Sequence, residues 1–330
     1  MKHFILCLSL VLLFLSNGKS QNRLFELLSP NQSGVDFINH IAENEKNNVL
    51  SYEYFYNGGG IAAGDINQDG LIDLYFTGNM KPNKLYLNLG NLKFKDITKE
   101  TGVAGHSGWT TGVSMADING DGLLDIYVCY SGNSGEDNRR NQLFINQGNL
   151  QFMEEAAKYG LDEPSYSTQA IFFDFDLDGD LDCYLLNHNI KDFQEYEQAQ
   201  LRDEYDLFAG DKLFRNDQGK FKDISKEAGI RANPLGFGLA VSVSDINGDG
   251  WPDIYVSNDY TEPDYLYINN QNGTFTDKLT DYLPYTSHFS MGNDIADFNN
   301  DGLPDILTLD MLPEDNKRQK LLQSSDNYEL

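Results

Sequence analysis

A nine-residue pattern, Asp-x-(Asn/Asp)-x-Asp-Gly-x-x-Asp, occurs five times along this chain of 330 residues, and every copy is followed by a short apolar segment. The copies are Asp65, Asn67, Asp69 and Asp73; Asp117, Asn119, Asp121 and Asp125; Asp174, Asp176, Asp178 and Asp182; Asp245, Asn247, Asp249 and Asp253; and Asp297, Asn299, Asp301 and Asp305. Calcium takes roughly six to eight oxygen ligands in flexible geometry, and a tight loop supplies them from carboxylates and amides at its first, third and fifth positions. A glycine at the sixth position permits the sharp turn. The backbone carbonyl of the seventh residue, Leu71, Leu123, Asp180, Trp251 or Leu303, can then face the ion, and the ninth aspartate closes the cage. Asp180 is expected to contribute its carbonyl rather than its side chain. The pattern reads as five candidate calcium sites.

Asp-Gly and Asn-Gly-Asp-Gly also make tight hairpin turns without any metal. A turn does not require an aspartate at the ninth position, and all five copies keep one. The EF-hand is excluded on two counts, since it needs a Glu at its twelfth position and helices on both sides. The twelfth residues here are Phe76, Val128, Leu185, Val256 and Thr308, and segments such as Leu74-Tyr-Phe and Ile126-Tyr-Val read as strands.

First-position aspartates recur at spacings of 52, 57, 71 and 52 residues, a period that belongs to repeat arrays such as propeller blades. A second motif follows each of the first four loops: Asn83-Lys-Leu-Tyr-Leu-Asn88, Asn141-Gln-Leu-Phe-Ile-Asn146, Asp211-Lys-Leu-Phe-Arg-Asn216 and Asp264-Tyr-Leu-Tyr-Ile-Asn269. A fourth strand around Phe94, Phe152, Phe221 or Phe275 comes next, then Gly102, Gly160 or Gly229 in three units. Each complete unit is therefore four short strands, and radially repeated four-stranded sheets make a β-propeller. Second strands are apolar on both sides, as sheets packed between neighbours require, while first strands are rich in the small residues that a crowded axis needs. The fold expected is all-β, a propeller of about four and a half blades over residues 57–310, its ring incomplete or irregular. Residues 24–40, within an N-terminal segment 21–56, resemble a fourth strand and inter-blade link that could close the ring. The fifth unit stops after its second strand, residues 311–330 read as a charged helical tail, and the chain reads as C-terminally shortened.

The metal loops between strands, followed by Asn-x-Leu-(Tyr/Phe)-x-Asn, resemble FG-GAP/VCBS repeats, the calcium-binding blades of integrin alpha-chain propellers. More closely, the chain resembles the bacterial exported relatives of cartilage acidic protein, in which such repeats precede an ASPIC/UnbV domain. The resemblance covers about residues 24–320. Literal Phe-Gly and Gly-Ala-Pro signatures are absent, with Gly236-Phe-Gly238 the nearest approach, and nothing matches an ASPIC/UnbV domain. The resemblance implies calcium binding and extracellular interaction.

Residues 1–20 combine Lys2, an apolar run from Phe4 to Leu15 and small polar residues up to Ser20, which reads as a cleaved secretory signal. That run is too short to span a bilayer, and no later stretch is longer. Loss of the leader would move the formal charge from −27 to −29, and five calcium ions would bring it to −19. Seventeen of the 51 acidic residues lie in the loops, and the remaining acid disfavours nucleic acid or an anionic membrane as partner. Cys129 and Cys183 are no disulfide framework. They stand four residues and one residue after their ninth aspartates, so equivalent strands point them to opposite faces, and a packed pair of thiols is expected rather than a bridge.

The longest interruption is residues 187–210, where Phe193, Tyr196, Leu201, Tyr205 and Phe208 could form an anchor surface or simply pack on the blade. His106, His188 and His288 fall near strand ends and read as ordinary loop residues. No nucleophile elbow, HExxH or Cys/His cluster is present. The leading expectation is a non-enzymatic, exported calcium-binding module for an extracellular protein or glycan. The rival is a polysaccharide lyase or hydrolase on the same scaffold, motivated by the acidic, aromatic-rich 187–210 insertion and His188.

Overall fold

In the computed structural model, residues 24–190, 200–260, 262–311 and Lys317 are described. The expected leader over residues 1–20, Phe193 and Tyr196, and the tail beyond Met311 apart from Lys317 lie outside these residues. Small-residue segments ahead of the five loops pair with the apolar segments behind them, and the chain then meanders outward. The first sheet runs β1 (Ile61–Gly64), β2 (Asp73–Phe76), β3 (Lys84–Asn88) and β4 (Phe94–Asp96) in chain order, all antiparallel. The pattern repeats in β5 (Trp109–Ala116), β6 (Asp125–Ser131), β7 (Gln142–Asn146) and β8 (Phe152–Glu154). It repeats again in β9 (Ser167–Phe173), β10 (Asp182–Asn187), β11 (Lys212–Asn216) and β12 (Phe221–Asp223), and in β13 (Gly238–Ser244), β14 (Asp253–Asn258), β15 (Tyr265–Asn269) and β16 (Phe275–Asp277). The fifth sheet consists of β17 (Ser290–Ala296) and β18 (Asp305–Asp310). One register holds in all five sheets: the ninth aspartate of the loop pairs with the residue just before the first, as in Gly64 with Asp73 and Ala296 with Asp305.

Each pair of neighbouring sheets encloses its own apolar layer. Ile66, Tyr75, Val128 and Phe144 lie between the first two sheets, Tyr127, Leu143, Leu185 and Phe214 between the second and third. Tyr184, Leu213, Val256 and Tyr267 fill the next layer, and Tyr255, Leu266 and Ile306 the last. Strands β6, β10 and β14 are buried at every residue because both of their faces meet a neighbour. This geometry also explains the cysteines. Opposite faces of equivalent strands in adjacent sheets look at each other, so Cys129 and Cys183 share one layer, buried and unbridged.

First strands line the axis and approach too closely for large side chains. A Cβ on Gly112 would fall 2.4 Å from the Thr168 carbonyl oxygen of the next sheet. Thr111 Oγ1 donates to Ser167 O at 2.7 Å and Thr168 Oγ1 to Gly238 O at 2.9 Å, stitching successive inner strands together. The chain ahead of β1 caps the axis at one end. Tyr52, Tyr54 and Phe55 are buried there against Trp109 of the second sheet, Ile190 beyond β10 of the third, and Phe237 and Tyr260 flanking β13 and β14 of the fourth. Tyr54 Oη donates to Asp259 Oδ2 at 3.2 Å, and Tyr52 Oη lies 3.2 Å from His188 Nε2.

The N-terminal segment departs from expectation at its first residues. No ladder runs through residues 24–28, and Leu24, Phe25 and Leu27 are exposed, because nothing among the described residues pairs with them. The link that follows does behave as an inter-blade link. Pro30–Ser33 is a four-residue helix ended by left-handed Gly34, like Ala156–Tyr159 before Gly160 and Ser225–Ala228 before Gly229. These three glycines sit against the carbonyls of Phe94, Phe221 and Phe275, the first residues of the next fourth strands, where a side chain would collide.

The residue opening each second motif anchors the end of a second strand. Asn83, Asn141, Asp211 and Asp264 each accept a backbone N–H through Oδ1, from Gly78, Tyr130, Asn187 and Asn258. Asn141 also donates to Tyr127 Oη at 3.0 Å, whereas Asp211 and Asp264 receive the hydroxyls of Tyr184 and Tyr255 at 2.8 and 2.6 Å. Burial pushes the Asp211 carboxyl up to about 7, opposed by those two hydrogen bonds. A carboxyl raised in the fold holds its proton where the unfolded chain has lost it, so its contribution to stability is present below about pH 4 and is lost as pH rises to about 7. Asp211→Asn should therefore gain on the wild type as pH rises from about 4 to 7 and level off above, measured as the difference in urea unfolding midpoint at constant calcium. A difference independent of pH would show that Asp211 titrates normally.

Candidate metal centres at one end of the sheets

Antiparallel strands alternate in direction, so the five loops joining first and second strands all open at one end of the sheets. Their conformation follows from two left-handed residues. The sixth-position glycines have φ of 84° to 99°, and the fourth residues Gln68, Gly120, Leu177, Gly248 and Asn300 have φ of 57° to 74°. The first aspartate shapes the turn: Asp65 accepts the N–H of Asp69 on Oδ1 at 3.1 Å and of Gly70 on Oδ2 at 2.7 Å. Asp117, Asp174, Asp245 and Asp297 do the same in their loops at 2.8 to 3.1 Å. The fifth residue follows, with Asp69, Asp121, Asp178, Asp249 and Asp301 accepting the N–H of Leu71, Leu123, Asp180, Trp251 and Leu303.

The ninth aspartate has a task that the spacing did not reveal. Asp73 Oδ2 accepts the N–H of Ile66 at 3.0 Å and Oδ1 that of Asn88 at 2.7 Å, tying loop, second strand and third strand together. Asp125 holds Ile118 and Asn146, Asp182 holds Phe175 and Asn216, and Asp253 holds Ile246 and Asn269 in the same way. These four carboxylates are buried. Asp305 keeps the loop bond, from Phe298 at 3.0 Å. An aspartate at this position is thus useful without metal, although each carboxylate oxygen has a further lone pair to offer.

Asn88, Asn146, Asn216 and Asn269, which close the second motif, complete the site. Besides the backbone bond, their side chains donate to the carbonyls of Ile72, Leu124, Leu181 and Pro252 in the loop's eighth position. Asn146 and Asn269 also reach the loops of the preceding sheets, at Ile66 O and Phe175 O. Their invariant place at the end of each motif was the available signal.

The third position separates one loop from the rest. In the first, second and fourth loops Asn67, Asn119 and Asn247 donate from Nδ2 to the fifth-position carboxylates of Asp69, Asp121 and Asp249 at 2.9 to 3.0 Å. Asp176 in the third loop has no such proton to give. Asp174, Asp176 and Asp182 bring carboxylate oxygens within 4.8 Å of one another, the one such acidic cluster among the described residues. Buried oxygens of Asp176 and Asp180 have no hydrogen-bond partner. Burial raises the Asp182 carboxyl to about 7 and the Asp125 carboxyl to about 6, each helped by neighbouring loop carboxylates. Burial, then the charges of adjacent aspartates, likewise raises Asp176 and Asp180. Clustered, partly desolvated carboxylates with oxygens left unpartnered are a donor set suited to a hard divalent cation.

The histidines fall elsewhere. His106 stacks on Tyr130 with ring centroids 4.0 Å apart and places Nε2 2.9 Å from Arg140 O. His188 is not a loop residue: it is fully buried beneath Tyr52 and Tyr54, with Nε2 2.6 Å from Ser131 Oγ, and burial lowers it to about 3. No part of it reaches the surface. His288 packs on Phe289. In the 187–210 insertion, Phe208 packs on Tyr166 and beside the Arg139 guanidinium, while Tyr205 is exposed and donates to Asp223.

The FG-GAP-like repeat family matches residues 39–128 and 245–308. Cartilage acidic protein 1 of Xenopus tropicalis is 30% identical over 210 residues, covering 61% of this chain and 29% of that protein. Its Homo sapiens counterpart is 27% identical over 236 residues, covering 70% and 33%. The chain thus spans about a third of the length of these curated relatives. Among solved structures, the Vibrio cholerae biofilm matrix protein Bap1 shares 17% identity at a TM-score of 0.35, over 66% of this chain and 27% of that one. A rhamnogalacturonan lyase of Bacillus licheniformis shares 16% at a TM-score of 0.34, over 75% and 50%. Among the described residues no helix is long and apolar enough to cross a membrane. Over residues 39–128 and 245–308 the repeats of this chain are FG-GAP-like, and the chain is similar to the cartilage acidic proteins.

Proposed function

We propose that the chain is an exported, calcium-binding propeller module that recognises an extracellular protein or glycan without transforming it. The third loop carries the metal half of this reading, because buried oxygens of Asp176 and Asp180 lack hydrogen-bond partners in a cluster of mutually repelling carboxylates that a divalent cation would stabilise. Asp65, Asn67, Asp69 and Asp73 would hold the first ion with the Leu71 carbonyl, and the other four loops would use their equivalent residues. A bound ion would offset two of the loop's three or five negative charges, ease the repulsion and tighten the joint between first and second strands. The recognition half is supported by the FG-GAP-like repeats.

Calcium that binds only the folded chain stabilises it by about 1.4 kcal/mol per site at ten times the dissociation constant. Thermal unfolding in millimolar calcium should therefore lie several degrees above that in chelator, and Asp176→Asn should remove a disproportionate share of the difference. An unfolding temperature indifferent to chelation would dispose of the metal sites.

The ninth and third positions should separate cleanly. Asp73→Asn turns an acceptor of two backbone N–H groups into a group with one acceptor, so it should cost about 1–3 kcal/mol in chelator as well as in calcium. Asn67→Ala should weaken calcium binding with a much smaller loss in chelator. Equal losses for both variants in urea unfolding with chelator would contradict the division of labour.

A further inference from the structure

At the end of the sheets opposite the metal loops, a cleft of about 580 Å³ opens between the first two sheets. Its walls are the chain between β2 and β3, the link before β5, the chain between β6 and β7, and part of the N-terminal cap. This volume falls within the roughly 300–1,000 Å³ of small-molecule sites. Three observations describe what it would take. None of its lining residues is Asp or Glu, although 51 of the 330 residues in the chain are, while Lys46 and Lys81 line it and are exposed. Trp109 forms a half-buried aromatic wall held by Phe55 at 5.1 Å and Tyr52 at 5.5 Å between ring centroids. The Ser134 hydroxyl, also among the lining residues, is buried without a hydrogen-bond partner.

We propose that this cleft binds an acidic saccharide, a uronate-bearing oligosaccharide whose carboxylate meets Lys46 and Lys81 while a sugar ring lies against Trp109. Sugar rings offer an apolar C–H face for a rigid aromatic and hydroxyls for amides and serines, and Asn133, Asn138 and Ser134 supply those on one wall. The net charge of −27 repels any anion at long range, but solvent-exposed charges beyond about 10 Å are screened at 0.1 M salt, leaving Lys46 and Lys81 in the lining to act against the exposed Glu45, Glu136 and Asp137 beside it. The proposal rests on the reading of the chain as a recognition module and names its ligand class.

The chain has two tryptophans, so Trp251→Phe leaves Trp109 as sole reporter. Titration of this variant with trigalacturonate at fixed calcium should give a saturable change in tryptophan emission that weakens with added salt. Lys46→Gln/Lys81→Gln, two exposed substitutions expected to leave thermal unfolding unchanged, should weaken binding at least tenfold. Maltotriose and a glutamate-rich peptide should bind at least tenfold more weakly than trigalacturonate. An unchanged emission, equal affinity for maltotriose or for the peptide, or full affinity in the double lysine variant would each overturn the site. Calorimetric binding of trigalacturonate that survives the lysine substitutions would remove this cleft yet leave the recognition reading intact.

Discussion

The buried carboxylate at the ninth position of each loop is the joint on which the repeat turns. Asp73, Asp125, Asp182 and Asp253 each bind the N–H of the residue after the first aspartate and the N–H of the asparagine closing the third strand. One side chain thereby fixes the loop, the start of the second strand and its register against the third. Two charge-assisted hydrogen bonds offset the loss of water around a buried carboxylate, but the remaining charge still meets the first and fifth aspartates nearby. The structural role and the proposed metal chemistry therefore meet in the same residue.

Because the joint recurs, the sheets stack with one apolar layer per interface, and the crowded inner strands exclude bulk at positions such as Gly112. Tyr52, Tyr54 and Phe55 add a contact that strand pairing cannot supply, joining three sheets at the end opposite the metal loops. The two ends of the repeat array thus differ in character. One is a row of carboxylate loops, and the other carries an aromatic cap beside a cleft free of acid.

Strand order and repeat number, down to the two strands of the fifth sheet among the described residues, could be read directly from the sequence, because glycine turns and alternating apolar segments are local signals. The facing of Cys129 and Cys183 followed from their spacing once the sheets were known to pack face to face. Roles that depend on distant backbone were not legible. Nothing in the pattern around Asp73 says that it will hold Asn88, and the neutral burial of His188 depends on Tyr52 and Tyr54, more than a hundred residues earlier. The four-residue helices ahead of Gly102, Gly160 and Gly229 were too short for periodicity to reveal. Residues 24–28 kept a strand-like composition without a partner to pair with among the described residues.

What the loops can hold is settled most directly by counting. Equilibrium dialysis of the folded chain against calcium at physiological ionic strength, with bound metal measured per chain, should approach five ions, the third loop filling first and Asp174→Ala removing that first ion. A chain that binds no calcium at millimolar concentration would reduce the nine-residue repeat to a hydrogen-bonded turn and contradict the account.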